Sequence, residues 1–275
     1  MKTKHIFLDI DGTLVGYDSK IPDSALEALK EAQKNGHKII ISSGRPLYMI
    51  YPELLSAVDF DGIIAAGGSC VIMNGEVIYE SLIEGEALAT IIDYFRREGI
   101  RFLVQSKDDG FVEQDFVDIV IPGMLAAGYN KDVVDQAYGK HTVVDDVRLV
   151  KGAEKLSYFT SPHSPERIAS DLGGRFYVVD FSIGDVAGKS SFGEMNNAGV
   201  TKATGIEKYL QHVGASLEDT IAIGDSANDL EMMDYAHVSV AMGNGTEAVK
   251  KIADFTTTAV DDNGIYNAFK KLGLI

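Results

Sequence analysis

The chain opens on a short apolar run, His5 to Ile10, that breaks at two carboxylates and Gly12. Such a run predicts a buried strand that delivers acidic side chains at its C-terminal end. Pro22 and Asp23 then open a pattern in which Leu26, Leu29 and Ala32 share one helical face, closed by Asn35 and Gly36. His37 to Ile41 predicts the next strand. It stops at Ser42-Ser43-Gly44-Arg45-Pro46, where Pro46 predicts the start of a helix and Ser43 and Gly44 fall in a strand-to-helix turn with outward amides suited to phosphate. Gly62 to Ala65 predicts a third strand, and Asn74-Gly75 a type I′ turn between Cys70–Met73 and Glu76–Tyr79.

Near residue 82 the pattern changes. Helical stretches (Ala87 to Glu98, Phe116 to Ala127, Pro165 to Leu172) mix with strands (Arg101 to Gln105, Lys155 to Thr160, Arg175 to Val179), which predicts a separate α+β unit. The β/α alternation then resumes with a helix over Thr201 to Val213, a strand over Thr220 to Ile223, a helix over Ala227 to Tyr235 and a strand over Val238 to Met242. The expected fold class is α/β: a Rossmann-like, doubly wound parallel-sheet core built from 1–82 and 188–275, with an inserted α+β domain over 83–187.

Composition narrows the function. Acidic residues outnumber basic ones 41 to 25, a formal charge of −16, which sets most of the surface against long nucleic acids. An anionic small molecule remains possible where a site brings its own positive charge. The single cysteine, Cys70, forms no internal disulfide or cysteine metal cage, which fits a reducing cytoplasm. No apolar run reaches the ~18 residues of a membrane helix, and the N-terminus lacks a secretion signal. The expectation is a cytoplasmic protein without membrane or obligate protein partner.

Two acidic clusters carry the chemistry. In Asp9-Ile10-Asp11-Gly12-Thr13, a continued strand would put both carboxylates on one side, where a divalent cation would relieve their repulsion; hard oxygen ligands suit magnesium. In Gly224-Asp225-Ser226-Ala227-Asn228-Asp229, one side chain suffices to cap the following helix. Asp225, Asn228 and Asp229 are a surplus that calls for a cation. At residue frequencies of about 5 to 7%, each four-position motif arises at roughly one start in 10⁵, so their joint occurrence is informative. Ser43 and Lys202 gain weight from that company.

With these motifs the sequence resembles the haloacid dehalogenase-like phosphatases, in particular the Cof-type branch (subfamily IIB) with a large C2-type cap inserted between the second and third motifs. DIDGTL fits the first motif, Ser43 of SSGR the second, Lys202 of GVTKATG the third and GDSAND the fourth, while VAMGNG at 240–245 and DDNGI at 261–265 resemble the branch's closing segments. The resemblance implies a magnesium-dependent phosphatase acting on a small phosphorylated metabolite, a sugar phosphate foremost, through an aspartyl-phosphate. It makes Asp9 the nucleophile, Asp11 the general acid and base, and Ser43 and Lys202 the phosphoryl-holding groups. Asp225 would join Asp9 and the backbone oxygen of Asp11 on Mg²⁺. Gly44, Arg45 and Asn228 would meet substrate, and Asn228 and Asp229 would orient the metal shell. The inserted domain would act as a lid. Two departures stand out: Gly67-Gly68-Ser69 replaces the usual Asn-Gly-Ala, and Gly245 stands where alanine is usual.

Other readings rank lower. A phosphomutase would share the nucleophile and metal. A dinucleotide-binding oxidoreductase rests only on a G-x-G-x-x-A match at Gly243 to Ala248, misplaced after the fourth motif. A non-catalytic phospho-ligand sensor has no use for an acid–base group such as Asp11.

Overall fold

The computed structural model describes residues 2–16, 20–180 and 191–275, which form two compact units. The first comprises Met1–Arg45, Ile50–Glu80 and Val200–Ile275; the second comprises Pro46–Met49 and Ser81–Gly199. The boundary expected between 187 and 188 lies outside the described residues. Residues 191–199 nevertheless group with the insertion, because strand Ser191–Asn197 pairs with both Lys155–Ser161 and Phe176–Asp180.

The first unit is an eight-stranded sheet. Strands Phe255–Thr256, Val238–Ala241, Thr220–Gly224, His5–Leu8, Lys38–Ser42 and Gly62–Ala65 follow one another in parallel, and the hairpin Cys70–Met73/Glu76–Glu80 extends that edge antiparallel. The central strand explains its own apolar run. Ile6 and Leu8 pack with helices Asp23–Lys34 and Gly264–Leu272, whereas Phe7 packs on the other face with Ile206 and Tyr209 of helix Lys202–Val213. Alternating side chains from Ile6 to Leu8 thus serve two helical layers, so all three are apolar, while His5 at the strand's start is half-buried and bonds the Tyr209 hydroxyl.

The helix expected from Pro46 is absent. A short 3₁₀ turn occupies Leu47–Met49, and the α-helix starts at Pro52, preceded by Tyr51 in extended conformation. Tyr51 is extended as a residue before proline prefers, a preference that both prolines impose, and the helix follows Pro52 rather than Pro46. The stretch expected as helix Phe116 to Ala127 begins with a π-turn over Phe116–Val120 before the α-helix Ile121–Ala126.

The second unit has a six-stranded sheet in the order Phe176–Asp180, Ser191–Asn197, Lys155–Ser161, Arg101–Gln105, Gly110–Val112, Thr142–Val143. One face, through Phe102, Val104, Leu156 and Tyr158, packs on helices Gly85–Glu98 and Pro165–Asp171. Leu103 and Phe159 turn to the other face and meet Phe116 and Val120. This is the α+β character read from the sequence.

Candidate active site

Asp9 follows the last residue of the central strand, where its amide still donates to Ile223 O at 3.1 Å. Period two places it on the side of Phe7, the side covered by helix Lys202–Val213. That helix starts where the chemistry needs it: Thr201 and Thr204 form a capping box, and Lys202 is the first helical residue. Its ammonium, buried with its side chain 1% exposed, donates to Asp9 Oδ1 at 2.6 Å and to Asp229 Oδ1 at 2.5 Å. Gly68 allows this approach. Its φ is +102°, and a Cβ there would fall 1.9 Å from the carbonyl oxygen of Thr201. The Gly67-Gly68-Ser69 turn therefore packs directly under the helix that carries Lys202.

The fourth motif arrives at the end of the neighbouring strand Thr220–Gly224. Asp229 accepts from the amides of Asp225 and Ser226 through Oδ2, at 2.9 and 3.0 Å, while Oδ1 takes Lys202. Both its oxygens are engaged, which suits a group that orders its neighbours. Asp225 Oδ1 accepts from the buried Thr13 hydroxyl at 2.9 Å, a contact the sequence did not single out although Thr13 lies inside the first motif. Carboxylate oxygens of Asp9, Asp225 and Asp229 all lie within 4.8 Å of one another.

Asp11 goes elsewhere. The chain leaves the strand after Leu8 and turns tightly, with the amides of Leu14 and Val15 both donating to Ile10 O at 2.9 Å, so the alternation expected to align Asp11 with Asp9 stops. Asp11 instead accepts from Arg45 at two points, Nε at 2.7 Å and Nη2 at 2.8 Å. Its side chain is 53% exposed. The Arg45 guanidinium also lies 4.6 Å over the Tyr51 ring, and these partners hold its proton more tightly than usual despite the opposing effect of burial. Among the expected metal groups, the structure thus gathers Asp9 and Asp225, adds Asp229, and leaves the Asp11 side chain on Arg45.

Ser43 is buried, and its hydroxyl accepts from the Arg45 amide at 3.1 Å; Gly44 lies between them in the turn after strand Lys38–Ser42. Asn228 offers Oδ1 to Lys202 at 3.5 Å and to the Ser226 hydroxyl at 2.9 Å.

The electrostatics favour an added cation. Burial, with the carboxylates of Asp229, Asp225 and Asp11, pushes the Asp9 carboxyl well above the ordinary range, against the pull of Lys202. Burial and then Asp229 push Asp225 up to about 6. For Lys202, burial opposes its charge, but Asp229 and Asp9 outweigh it and hold the proton on. The part of this effect that comes from neighbouring carboxylates is repulsion that a bound cation would relieve. The donors are hard oxygens, and the surplus of carboxylates over Lys202 and Arg45 matches a divalent charge, so the residues fit a hard divalent cation.

The family model described as haloacid dehalogenase-like hydrolase matches residues 6–269. YkrA of Bacillus subtilis (strain 168) is 30% identical over 279 residues, covering 100% of both chains. The 5-amino-6-(5-phospho-D-ribitylamino)uracil phosphatase YitU of the same organism is 28% identical over 294 residues, covering 98% of each. Among solved structures, the HAD subclass IIB sugar phosphatase BT4131 superposes with a TM-score of 0.82 at 28% identity, over 99% of this chain and 100% of that one.

Proposed function

The chain belongs to the haloacid dehalogenase-like hydrolases, and on that premise we propose that it is a magnesium-dependent phosphatase whose Asp9 takes the phosphate from a small sugar or sugar-derived phosphate ester. The observation that carries this reading is the convergence of Asp9, Asp225, Asp229 and Lys202 from sequence stretches some two hundred residues apart. The substrate class is supported by two relatives' names, one a sugar phosphatase and one acting on a phosphoribityl compound.

A phosphate monoester dianion repels a carboxylate at 4 Å by roughly 4 kcal/mol per charge pair at an effective dielectric of 20. Bound Mg²⁺, held by Asp9, Asp225 and the main-chain oxygen of Asp11, would supply the positive charge that offsets this repulsion. Lys202 orients the Asp9 carboxylate and adds its own charge beside the reacting oxygen. Asp229 holds the Lys202 ammonium and the 225–226 amides in place. In the first half-reaction an Asp9 oxygen bonds to phosphorus, the ester P–O bond breaks, and Asp11 gives its proton to the departing oxygen. In the second, Asp11 accepts a proton from water as the water oxygen bonds to phosphorus, the Asp9–phosphorus bond breaks, and inorganic phosphate leaves.

The pair between Arg45 and Asp11 bears on this cycle. With both oxygens accepting from Arg45, Asp11 has no proton to give, so it must leave Arg45 and take one up from solvent before the first half-reaction; the second half-reaction then restores that proton from water. The Asp11 side chain is half-exposed while Arg45 is largely buried, and a substrate phosphate offering its own oxygens to the guanidinium would compete with Asp11 for it. Arg45 is thus both a substrate contact and the resting partner of the acid.

The test is phosphate release across a panel of phosphorylated metabolites with and without Mg²⁺, beside Asp9→Asn and Asp11→Asn. Activity that survives Asp9→Asn would refute the nucleophile. Phosphate appearing on a second sugar rather than in solution would replace hydrolysis with transfer.

A further inference from the structure

The closing segment VAMGNG was noted in the sequence but plays no part in the chemistry above. In the fold it lies at the end of strand Val238–Ala241 and runs beside the two acidic loops. Met242 N donates to Gly224 O at 3.0 Å and Thr246 N to Asp225 O at 2.8 Å, so the 242–246 turn is fastened along the loop that carries Asp225. Between these two bonds, the Asn244 amide donates from Nδ2 to the carbonyl oxygen of Gly12 at 2.7 Å, and its Oδ1 accepts from Val260 N at 2.9 Å. Gly12 sits between Asp11 and Thr13 in the nucleophile loop and has φ +83°. A Cβ there would fall 2.5 Å from Asp225 Oδ2, so the two loops approach as closely as atoms allow. Thr13 adds its bond to Asp225 Oδ1 on the same side. Gly245 keeps the turn tight: a Cβ there would lie 2.9 Å from Met242 O and 3.0 Å from Asp225 O, both main-chain atoms.

Asn244 itself is solvent-exposed. It fills no core and stabilises no buried void, yet it ties three separate stretches: the nucleophile loop through Gly12, the Asp225 loop through its own turn, and the 257–264 segment through Val260. We infer that Asn244 is a positioning residue that fixes the nucleophile loop against the Asp225 loop and so preforms the divalent-cation site. The inference rests on the functional reading above. Its physical basis is that two carboxylates which repel each other are held at ligand spacing only if the backbones carrying them cannot drift apart. The Gly12 carbonyl takes its bond from a side chain outside the loop, at the residue whose Cβ would meet Asp225. Without the amide, Gly12 O turns to water, the loop relaxes away from Asp225, and the ion must reassemble its ligands on binding.

The test uses the full chain with Asn244→Leu, similar in shape but without hydrogen-bonding groups, and Asn244→Ser, too short to reach Gly12. Mg²⁺ binding is measured by titration calorimetry with magnesium chloride alone, folding by circular dichroism and thermal melting, and turnover with p-nitrophenyl phosphate. Both variants are expected to fold, to bind Mg²⁺ about tenfold more weakly, and to lose kcat by a similar factor, while KM for p-nitrophenyl phosphate at saturating Mg²⁺ stays within about twofold. A purely structural asparagine would lower the melting temperature and leave the Mg²⁺ affinity alone; that result, in either folded variant, overturns the inference while leaving the phosphatase reading intact. Absence of saturable Mg²⁺ binding to the parent chain overturns the functional reading and this inference with it. If Asn244→Leu fails to fold, Asn244→Ser decides.

Discussion

At the scale of single residues, Lys202 has the most exposed role energetically although it is nearly fully buried. It is the shared cation of Asp9 and Asp229. Lys202→Met leaves those carboxylates facing one another in a water-poor site, a loss of the order of 3 to 5 kcal/mol for a broken buried ion pair. Thermal melts should therefore show a strong destabilisation of Lys202→Met without metal, partly recovered in millimolar Mg²⁺, together with loss of turnover. Equal melting temperatures for parent and variant would contradict the central role of this ammonium. Gly68 is the second decisive position. Gly68→Ala must both adopt φ +102° and displace the Thr201 carbonyl from 1.9 Å, and neither the strand beneath nor the helix above can yield freely. The expected outcome is a loss of about 3 kcal/mol or more, read by urea denaturation, with kcat falling because Lys202 begins the helix that must shift.

At the scale of elements, the helix Lys202–Val213 is held at its start by the Thr201/Thr204 capping box. Thr201→Ala should cost about 1 kcal/mol of stability, and it should reduce turnover more than an equally destabilising change at the far end of the helix, such as one near His212. A comparison of kcat at matched stability measures this. In the second unit, strand Arg101–Gln105 and the 3₁₀ turn Leu47–Met49 meet through a polar chain: the Ser157 hydroxyl donates to Gln105 Oε1 at 2.8 Å, Gln105 Nε2 to the Tyr48 hydroxyl at 3.4 Å, and Tyr48 bonds His141 Nε2 at 3.0 Å. Burial lowers His141 to about 4, against the weaker opposite influence of Asp109. The folded state thus holds a neutral imidazole, while the unfolded chain takes up a proton near pH 6.5. As pH falls from 6.5 to 4, the unfolded state binds the extra proton and stability is lost, by at most about 3 kcal/mol; below pH 4 both states are protonated and the loss stops. His141→Asn should flatten this part of the pH–stability curve, and parallel curves for parent and variant would refute it.

At the scale of the whole molecule, the chain divides its labour between two units, one carrying the acidic cluster and one built on a separate sheet. A ligand stabilises only the structure that forms its site. Magnesium at a hundred times its dissociation constant should add about 2.7 kcal/mol, and hydrogen exchange should slow in 1–45, 50–80 and 200–275 with little change in 81–199. Uniform slowing across both would contradict a site contained in the first unit.

How much of this was legible beforehand follows from what each signal depends on. The central strand, the two acidic motifs and Lys202 at a helix start were readable because apolar runs, caps and short motifs are local. Buried strands are predominantly apolar, and a surplus of carboxylates at a strand end has few structural uses. The short strands Gly110–Val112 and Thr142–Val143 went unseen because two or three residues carry no periodicity. The helix start moved from Pro46 to Pro52 because two prolines offer equivalent signals and only packing chooses between them.

The sequence by itself determined the fold class, the family and the set of residues with chemistry to offer, since these rest on patterns within a few positions of one another. Only the tertiary structure decided which of those groups meet. It put Asp229 beside Asp9 and Asp225, sent Asp11 to Arg45, and brought Thr13 and Asn244 against the acidic loops. Hydrogen bonds and charge pairs act over a few ångströms in space, and a tight turn after one strand or a glycine under one helix is enough to redirect them, which no spacing along the chain can encode.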